Sequence, residues 1–283
     1  MGKFILTGFA DEISANLDEQ IQGLRDLHIQ YIELRTINGK NVSDYTPEEM
    51  VPIKEKLDAA GIRVSAIGSP IGKIKITDNP DADLAKFKNT LALAKVLETK
   101  YIRMFSFYID EQDDPAVYRD EVIKRWQAYL RLAEGTGVML LHENEKRIYG
   151  DTAERSLDLL ETLQSPIVGA TFDPANFVQC SVSTYPEAFH LLEKHIVYMH
   201  IKDADGMTVV PAGMGKGHIK EILSALKGKD MFLSLEPHLA NFTGFSSLEQ
   251  GDKKLAEGGN AEKFALAVKS LRSILKEIGA EEA

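Results

Sequence analysis

Residues 138–176 read VMLLHENEKRIYGDTAERSLDLLETLQSPIVGATFDPAN. Val138–Leu141 is a short strand-like apolar run, Thr152–Leu163 has helical spacing, and Ile167–Phe172 is a second strand-like run. Each apolar run ends on polar chemistry, HENE in the first case and FDP in the second. Strand, helix and strand in immediate succession is the pattern of a parallel sheet with helical crossovers.

The alternation extends in both directions. Upstream, Phe4–Phe9 is a strand, and Ser14–Leu27 a helix with Ser14 as its cap and Leu17, Ile21 and Leu24 on its buried face. Tyr31–Leu34 is the second strand, and Thr46 with Pro47 opens a helix that stops at Gly61. Ile62–Ile67 is strand three, Asp81–Leu97 a helix, Tyr101–Phe105 strand four and Pro115–Glu134 a long helix. Downstream, Tyr185–Glu193 is helical, Ile196–Ile201 is strand seven, Ile219–Leu226 a helix and Met231–Leu235 strand eight. A loop rich in Gly and Ser follows, and Ala261–Ile278 closes the chain as a helix. Eight strand–helix units in 283 residues predict an α/β fold, a single-domain (β/α)₈ TIM barrel over residues 1–283. An open doubly wound sheet would need a glycine-rich phosphate loop after strand one. Here Gly8-Phe9-Ala10-Asp11-Glu12 offers two carboxylates instead.

Composition narrows the function. A net charge of −10 and a pI near 5.3 argue against a general nucleic-acid binder, which needs a basic face. The single cysteine, Cys180, excludes an intramolecular disulfide and a thiol-rich metal site. The N-terminal apolar run soon meets Asp11 and Glu12, too short for a signal core, and no run of apolar residues is long enough to span a bilayer. The expectation is a cytoplasmic enzyme with no membrane and no nucleic-acid partner.

Active sites of such barrels sit at the C-terminal ends of the strands. Strand five ends in His142-Glu143-Asn144-Glu145, strand six in Asp173-Pro174, strand seven in His200-Ile201-Lys202-Asp203, and strand eight in Glu236-Pro237-His238. Four neighbouring strands thus each deliver a carboxylate or an imidazole. Three converging carboxylates repel one another, and a divalent cation resolves the conflict. Glu143, Asp173, His200 and Glu236 are the expected ligands of one ion, with Mn²⁺, Mg²⁺, Co²⁺ or Zn²⁺ suited to this donor set. Asp173 could instead cap a helix, and His200 could be a packed histidine.

GFADE after strand one, YIEL at strand two, HENE, FDPAN, HIKD and LEP together resemble the xylose isomerase-like TIM barrel superfamily, in particular its sugar phosphate isomerase/epimerase group, over essentially the whole chain. The resemblance implies that the same four residues hold one catalytic metal and that Glu143 and Glu236 form an acid/base pair on opposite faces of the substrate. The implied activity is isomerisation or epimerisation of a small sugar or sugar-like hydroxy carbonyl compound through a metal-stabilised enediolate. The superfamily's endonuclease IV-like members need three zinc ions. This chain has Asn176, Gly213 and Gly215 where further ligands would stand, and no histidine between His28 and His142. Some epimerases carry an arginine six residues after the strand-seven histidine; here it is Gly206, with Lys202 two residues after the histidine. That departure leaves open a metal-dependent dehydratase or lyase of a cyclic polyol ketone (inosose-type), and a non-catalytic sugar-binding barrel.

Lys202 is the candidate electrophile beside the metal, its bland alternative being a salt bridge to Asp203 or Glu145. Glu33, His142, Glu145, Asn176 and His238 are candidate substrate-binding residues, and Glu33 could equally orient a metal ligand. Gly213–His218 could cradle a phosphate before a helix, or be a plain loop. Phe9, Phe105 and Phe107 are placed to wall the pocket, and Trp126 to pack helix against barrel. The expected partner is a small-molecule carbohydrate; the resemblance leaves a homo-oligomer open.

Overall fold

The computed structural model describes residues 2–239 and 259–283. The eight barrel strands are β1 (Phe4–Gly8), β2 (Tyr31–Leu34), β3 (Arg63–Gly68), β4 (Tyr101–Met104), β5 (Met139–Glu143), β6 (Val168–Phe172), β7 (Ile196–Ile201) and β8 (Met231–Leu235). They pair in parallel in the order β1-β8-β7-β6-β5-β4-β3-β2. β1 also packs against β2, so the sheet rolls into a nearly closed barrel. Around it lie α1 (Leu17–Asp26), α2 (Pro47–Ala59), α3 (Asp81–Val96), α4 (Arg119–Ala133), α5 (Ala153–Leu163), α6 (Pro174–Gln179), α7 (Phe189–Leu192), α8 (Ile219–Leu226) and α9 (Asn260–Glu277). The single α/β barrel expected from the alternation is the observed fold. No helix among the described residues is long and apolar enough to cross a membrane.

Local chemistry explains the helix starts. At α2, Thr46 and Glu49 form a reciprocal capping box with Pro47 in the first turn. At α1 the cap is Asn16, two residues later than expected: its side chain accepts from the amides of Asp18 and Glu19, while the Ser14 hydroxyl bonds the Glu19 carboxylate. The long helix expected from Pro115 is a 3₁₀ turn, Pro115–Tyr118, followed by α4. The helix expected over 185–193 is a wide π-type turn, Thr184–Ala188, and the short α7. Most of the Gly- and Ser-rich loop after β8 lies outside the described residues.

Two differences reach the site. β5 was expected to stop at Leu141 but runs on through Glu143, because His142 pairs with Ala170 and Glu143 with Thr171 of β6. Ladder pairing, invisible to local periodicity, carries the strand past its apolar run. The FDPAN segment forms α6 directly after β6, so Asp173 sits at a helix start.

The barrel interior is not wholly apolar. Thr7 Oγ1 and Ser65 Oγ are 2.7 Å apart, Ser65 Oγ lies 3.0 Å from the Tyr198 hydroxyl, and that hydroxyl donates to Glu33 at 3.0 Å. The chain of polar contacts ends on His200, whose Nε2 is 3.3 Å from Glu33. Trp126 packs from α4 onto the barrel as expected, edge to face with His142 at 5.7 Å.

Candidate metal centre

Glu143, Asp173, His200 and Glu236 come together, as their positions at the ends of β5, β6, β7 and β8 require. One ligand atom from each lies within 4.8 Å of all the others, and all four residues are buried. His200 Nδ1 is 3.2 Å from Glu143 Oε1, 3.5 Å from Glu236 Oε2 and 4.0 Å from Asp173 Oδ2. Ligand atoms of one ion at bond lengths near 2.1 Å lie roughly 3–3.5 Å apart, so the cluster is close to a coordination shell.

In this set the buried His200 Nδ1 has no hydrogen-bond partner, and Asp173 Oδ2 meets only the Lys202 ammonium, as an ion pair at 2.8 Å. Buried polar atoms are costly unless paired, and both point into the same cluster. Asp173 caps and faces the cluster at once: Oδ1 accepts the Asn176 amide at 2.9 Å, and Oδ2 is the oxygen turned inward. His200 is oriented from behind, since Glu33 holds Nε2 and leaves Nδ1 for a cation, the carboxylate–histidine–metal arrangement. The residues present therefore fit a divalent ion.

The electrostatics agree. Burial pushes the Asp173 carboxyl up to about 7 against the pull of Lys202, with Glu143 and Glu236 adding to the rise. Burial also opposes ionisation of Glu143, but His200 and Arg103 outweigh it and hold that carboxyl at about 2. Burial opposes charge on His200 too, yet Glu143 and Glu33 hold its pKa well above the usual histidine range. The protein alone neutralises its clustered carboxylates with protons and cations, which an incoming ion would displace.

Lys202 is in the site, buried, with Nζ 2.8 Å from Asp173 Oδ2 and 2.9 Å from Glu236 Oε2. Its partners are thus two metal-ligand candidates and not Asp203 or Glu145. Asp203 does other work. Its buried carboxylate accepts the amides of Ala204, Gly213, Gly215 and Gly217 at 2.8–3.0 Å. A Cβ on Gly215 would stand 2.3 Å from Asp203 Oδ1. The amides of the expected phosphate cradle are committed to this carboxylate instead.

The remaining expectations divide. Asn176 donates to Glu143 Oε1 at 3.2 Å and to the Asn144 carbonyl at 2.9 Å, and so sits beside a ligand. Glu33 stands behind His200. Glu145 is at the mouth, paired with Lys73 at 3.1 Å. His238 is half exposed, 3.2 Å from Glu12 and 3.4 Å from Glu236. His142 is not brought in: its ring lies against Trp126 of α4 and its Nε2 bonds Ser106 Oγ at 2.9 Å. Strand alternation turns it outward while Glu143 turns inward. Burial lowers its pKa to about 4, so it is neutral. Phe9 lies edge-on to His200 at 5.2 Å, whereas Phe107 stacks on Tyr129, away from the four ligands.

Three residues of the site went unread in the sequence. Asn144 clasps Asp173 twice, its Nδ2 donating to the Asp173 carbonyl and its Oδ1 accepting the Asp173 amide, both at 2.9 Å. Arg103 Nη1 donates to Glu143 Oε2 at 2.9 Å, and Arg35 Nη1 to Glu236 Oε1 at 3.0 Å. Both guanidinium groups lie over Phe9, at 4.3 Å for Arg35 and 5.4 Å for Arg103. The available signal was a charge inside an apolar run, as in YIRMF and YIELR. Arg35 also reaches Asp11 and Glu12. A second group of close donors, Glu12, Glu236 and His238, therefore already has a cation against two of its members.

A family model described as xylose isomerase-like TIM barrel matches residues 21–273. No curated protein matches the sequence. The chain is similar in structure to the IOLI protein, whose structure holds a zinc atom (16% identity, TM-score 0.75, 97% of this chain and 99% of that one). It is similar to an L-ribulose 3-epimerase (19%, 0.70, 99% and 96%). It is also similar to the probable 3-DHS dehydratase AsbF from Bacillus anthracis (17%, 0.71, 96% and 99%). At such identities the likeness establishes the fold.

Proposed function

Because the chain belongs to the xylose isomerase-like TIM barrel family, we propose that it is a divalent-metal-dependent enzyme that isomerises or epimerises a small polyhydroxy carbonyl compound. The observation that carries this is the convergence of four buried donor atoms within 4.8 Å of one another, from Glu143, Asp173, His200 and Glu236, with His200 Nδ1 lacking a hydrogen-bond partner. These four residues would hold one ion of the Mn²⁺, Mg²⁺, Co²⁺ or Zn²⁺ class. The bound ion supplies Lewis-acid polarisation of a carbonyl oxygen, which acidifies the adjacent C–H bond.

The chain's own residues do the rest. Glu143 and Glu236 each turn one oxygen toward His200 Nδ1 and the other toward an arginine. They are the pair that removes and returns the proton at the substrate carbon. Return to the opposite face is epimerisation, and return to the neighbouring carbon is aldose–ketose isomerisation. The Lys202 ammonium is fixed next to Asp173 and Glu236, where it can stabilise negative charge developing on a substrate oxygen. Phe9 walls the site.

A dehydratase reading draws on the same lysine. An ammonium 2.9 Å from Glu236 is also placed to donate to a departing β-hydroxyl. Metal analysis followed by a screen of ketoses, aldoses and inososes in D₂O separates the readings by mass. Isomerisation or epimerisation brings solvent deuterium to the α-carbon, and dehydration removes the mass of water. A protein that retains no divalent ion and exchanges no α-proton refutes both.

A further inference from the structure

Arg103 carries more hydrogen-bonding capacity than holding Glu143 requires. It lies on β4, 4% exposed, and among the described residues only its Nη1 has a hydrogen-bond partner, Glu143 Oε2. Its Nε is buried with none. The Nε–Nη2 edge is the fork with which arginine grips a carboxylate in two parallel bonds. An always-ionised, nearly buried group with that edge unspent favours a further anion beside it.

A second cation stands over the same aromatic ring as Arg103. The Arg103 guanidinium lies 4.5 Å from the centre of the Phe105 ring, and Lys73 Nζ lies 4.2 Å from it. Lys73 is partly exposed at the mouth and reaches Glu145, whereas Arg103 is buried beside a metal-ligand candidate. Gly68 lets Phe9 and Arg103 pack close to β3, since a Cβ there would stand 2.5 Å from Phe9 Cε1 and 3.1 Å from Arg103 Nη2.

We infer that Arg103 and Lys73, over Phe105, form a carboxylate subsite next to the metal centre, so that the substrate is a sugar acid or related hydroxy acid and not a neutral sugar. This rests on the proposed metal-dependent reading and narrows its substrate class. A carboxylate is preferred to a phosphate because, among the described residues, the glycine-rich loop after β7 spends its amides on Asp203.

The test is calorimetric binding of D-glucuronate and D-glucose to Mn²⁺-loaded protein, since the two differ only in the carboxylate. Wild-type protein should bind glucuronate at least about tenfold more tightly than glucose, the scale of one charge-assisted bidentate contact. The preference should vanish in Arg103→Gln and fall at least about threefold in Lys73→Met. Lys73 makes no contact with the four ligands, so it decides the matter if Arg103→Gln loses its metal through Glu143; metal content is measured in each variant. Equal affinities in wild type, no binding of glucuronate, or a preference unchanged in metal-loaded variants overturns the subsite. Those results leave metal retention and α-proton exchange on neutral sugars untouched, so failure of the subsite is distinct from failure of the proposed function.

Discussion

Replacing Glu33 with glutamine removes one negative charge and almost no volume from the centre of the barrel. The Glu33 carboxylate is 1% exposed, accepts the Tyr198 hydroxyl at 3.0 Å and stands 3.3 Å from His200 Nε2. The amide of the variant can still accept from both partners, but it no longer makes the imidazole more basic at Nδ1. Changes to such outer partners typically weaken metal binding 10- to 100-fold. Consider an ion concentration a hundred times the wild-type dissociation constant. Binding then stabilises wild-type protein by about 2.7 kcal/mol, and the variant by about 1.4 kcal/mol for a tenfold loss or about 0.4 kcal/mol for a hundredfold loss. Urea unfolding of both proteins with and without Mn²⁺ reads this difference directly. Calorimetric titration of the ion checks it independently. Equal ion-induced stabilisation in a folded Glu33→Gln protein would refute the claim that Glu33 acts through His200.

Other consequences can be checked alongside. Glu143→Gln should lower turnover by roughly 100- to 10,000-fold, the usual worth of a general base, while circular dichroism stays unchanged. Near-normal turnover in that variant removes Glu143 from the proton-transfer pair. Asp203→Ala strands three loop amides and that of Ala204, and should cost about 2–4 kcal/mol of stability in urea. Gly215→Ala should destabilise through the same contact. His142 is neutral in the folded chain with a pKa of about 4, against 6.5 as the ordinary value. Its contribution is full above pH 6.5 and is lost as pH falls toward 4, because only the unfolded chain takes up the proton. The loss should reach about 3 kcal/mol, and the acid limb of stability against pH should flatten by that amount in His142→Phe.

The order of strands and helices was legible because each β/α unit carries its own local signals: an apolar run, a cap, a helical stripe and a stop. Thr46, Pro47 and Glu49 specify the start of α2 with no reference to the rest of the chain. The four ligand candidates were legible for a related reason. Parallel strands in consecutive order bring their C-terminal ends to one rim, so a side chain that closes each of β5 to β8 is near the others once the barrel closes. Chemistry and chain order together sufficed for Glu143, Asp173, His200 and Glu236.

What lay beyond the sequence depended on direction and on distant partners. His142 and Glu143 are adjacent letters, and only the register of β5 on β6 decides that one faces Trp126 and the other the cluster of candidate ligands. The glycines at 213, 215 and 217 look like a phosphate cradle until the fold wraps them on Asp203. Arg35 and Arg103 are 68 positions apart, yet both lie over Phe9 and each holds the far oxygen of one glutamate. Periodicity reports which face of an element is buried; it carries no information on which charge from another strand will meet it there. The sequence by itself therefore determined the barrel and which four candidate ligands meet at its rim. The tertiary structure decided the protonation, orientation and neighbours of those ligands, because burial and Coulomb interactions depend on distance in space and not on separation along the chain.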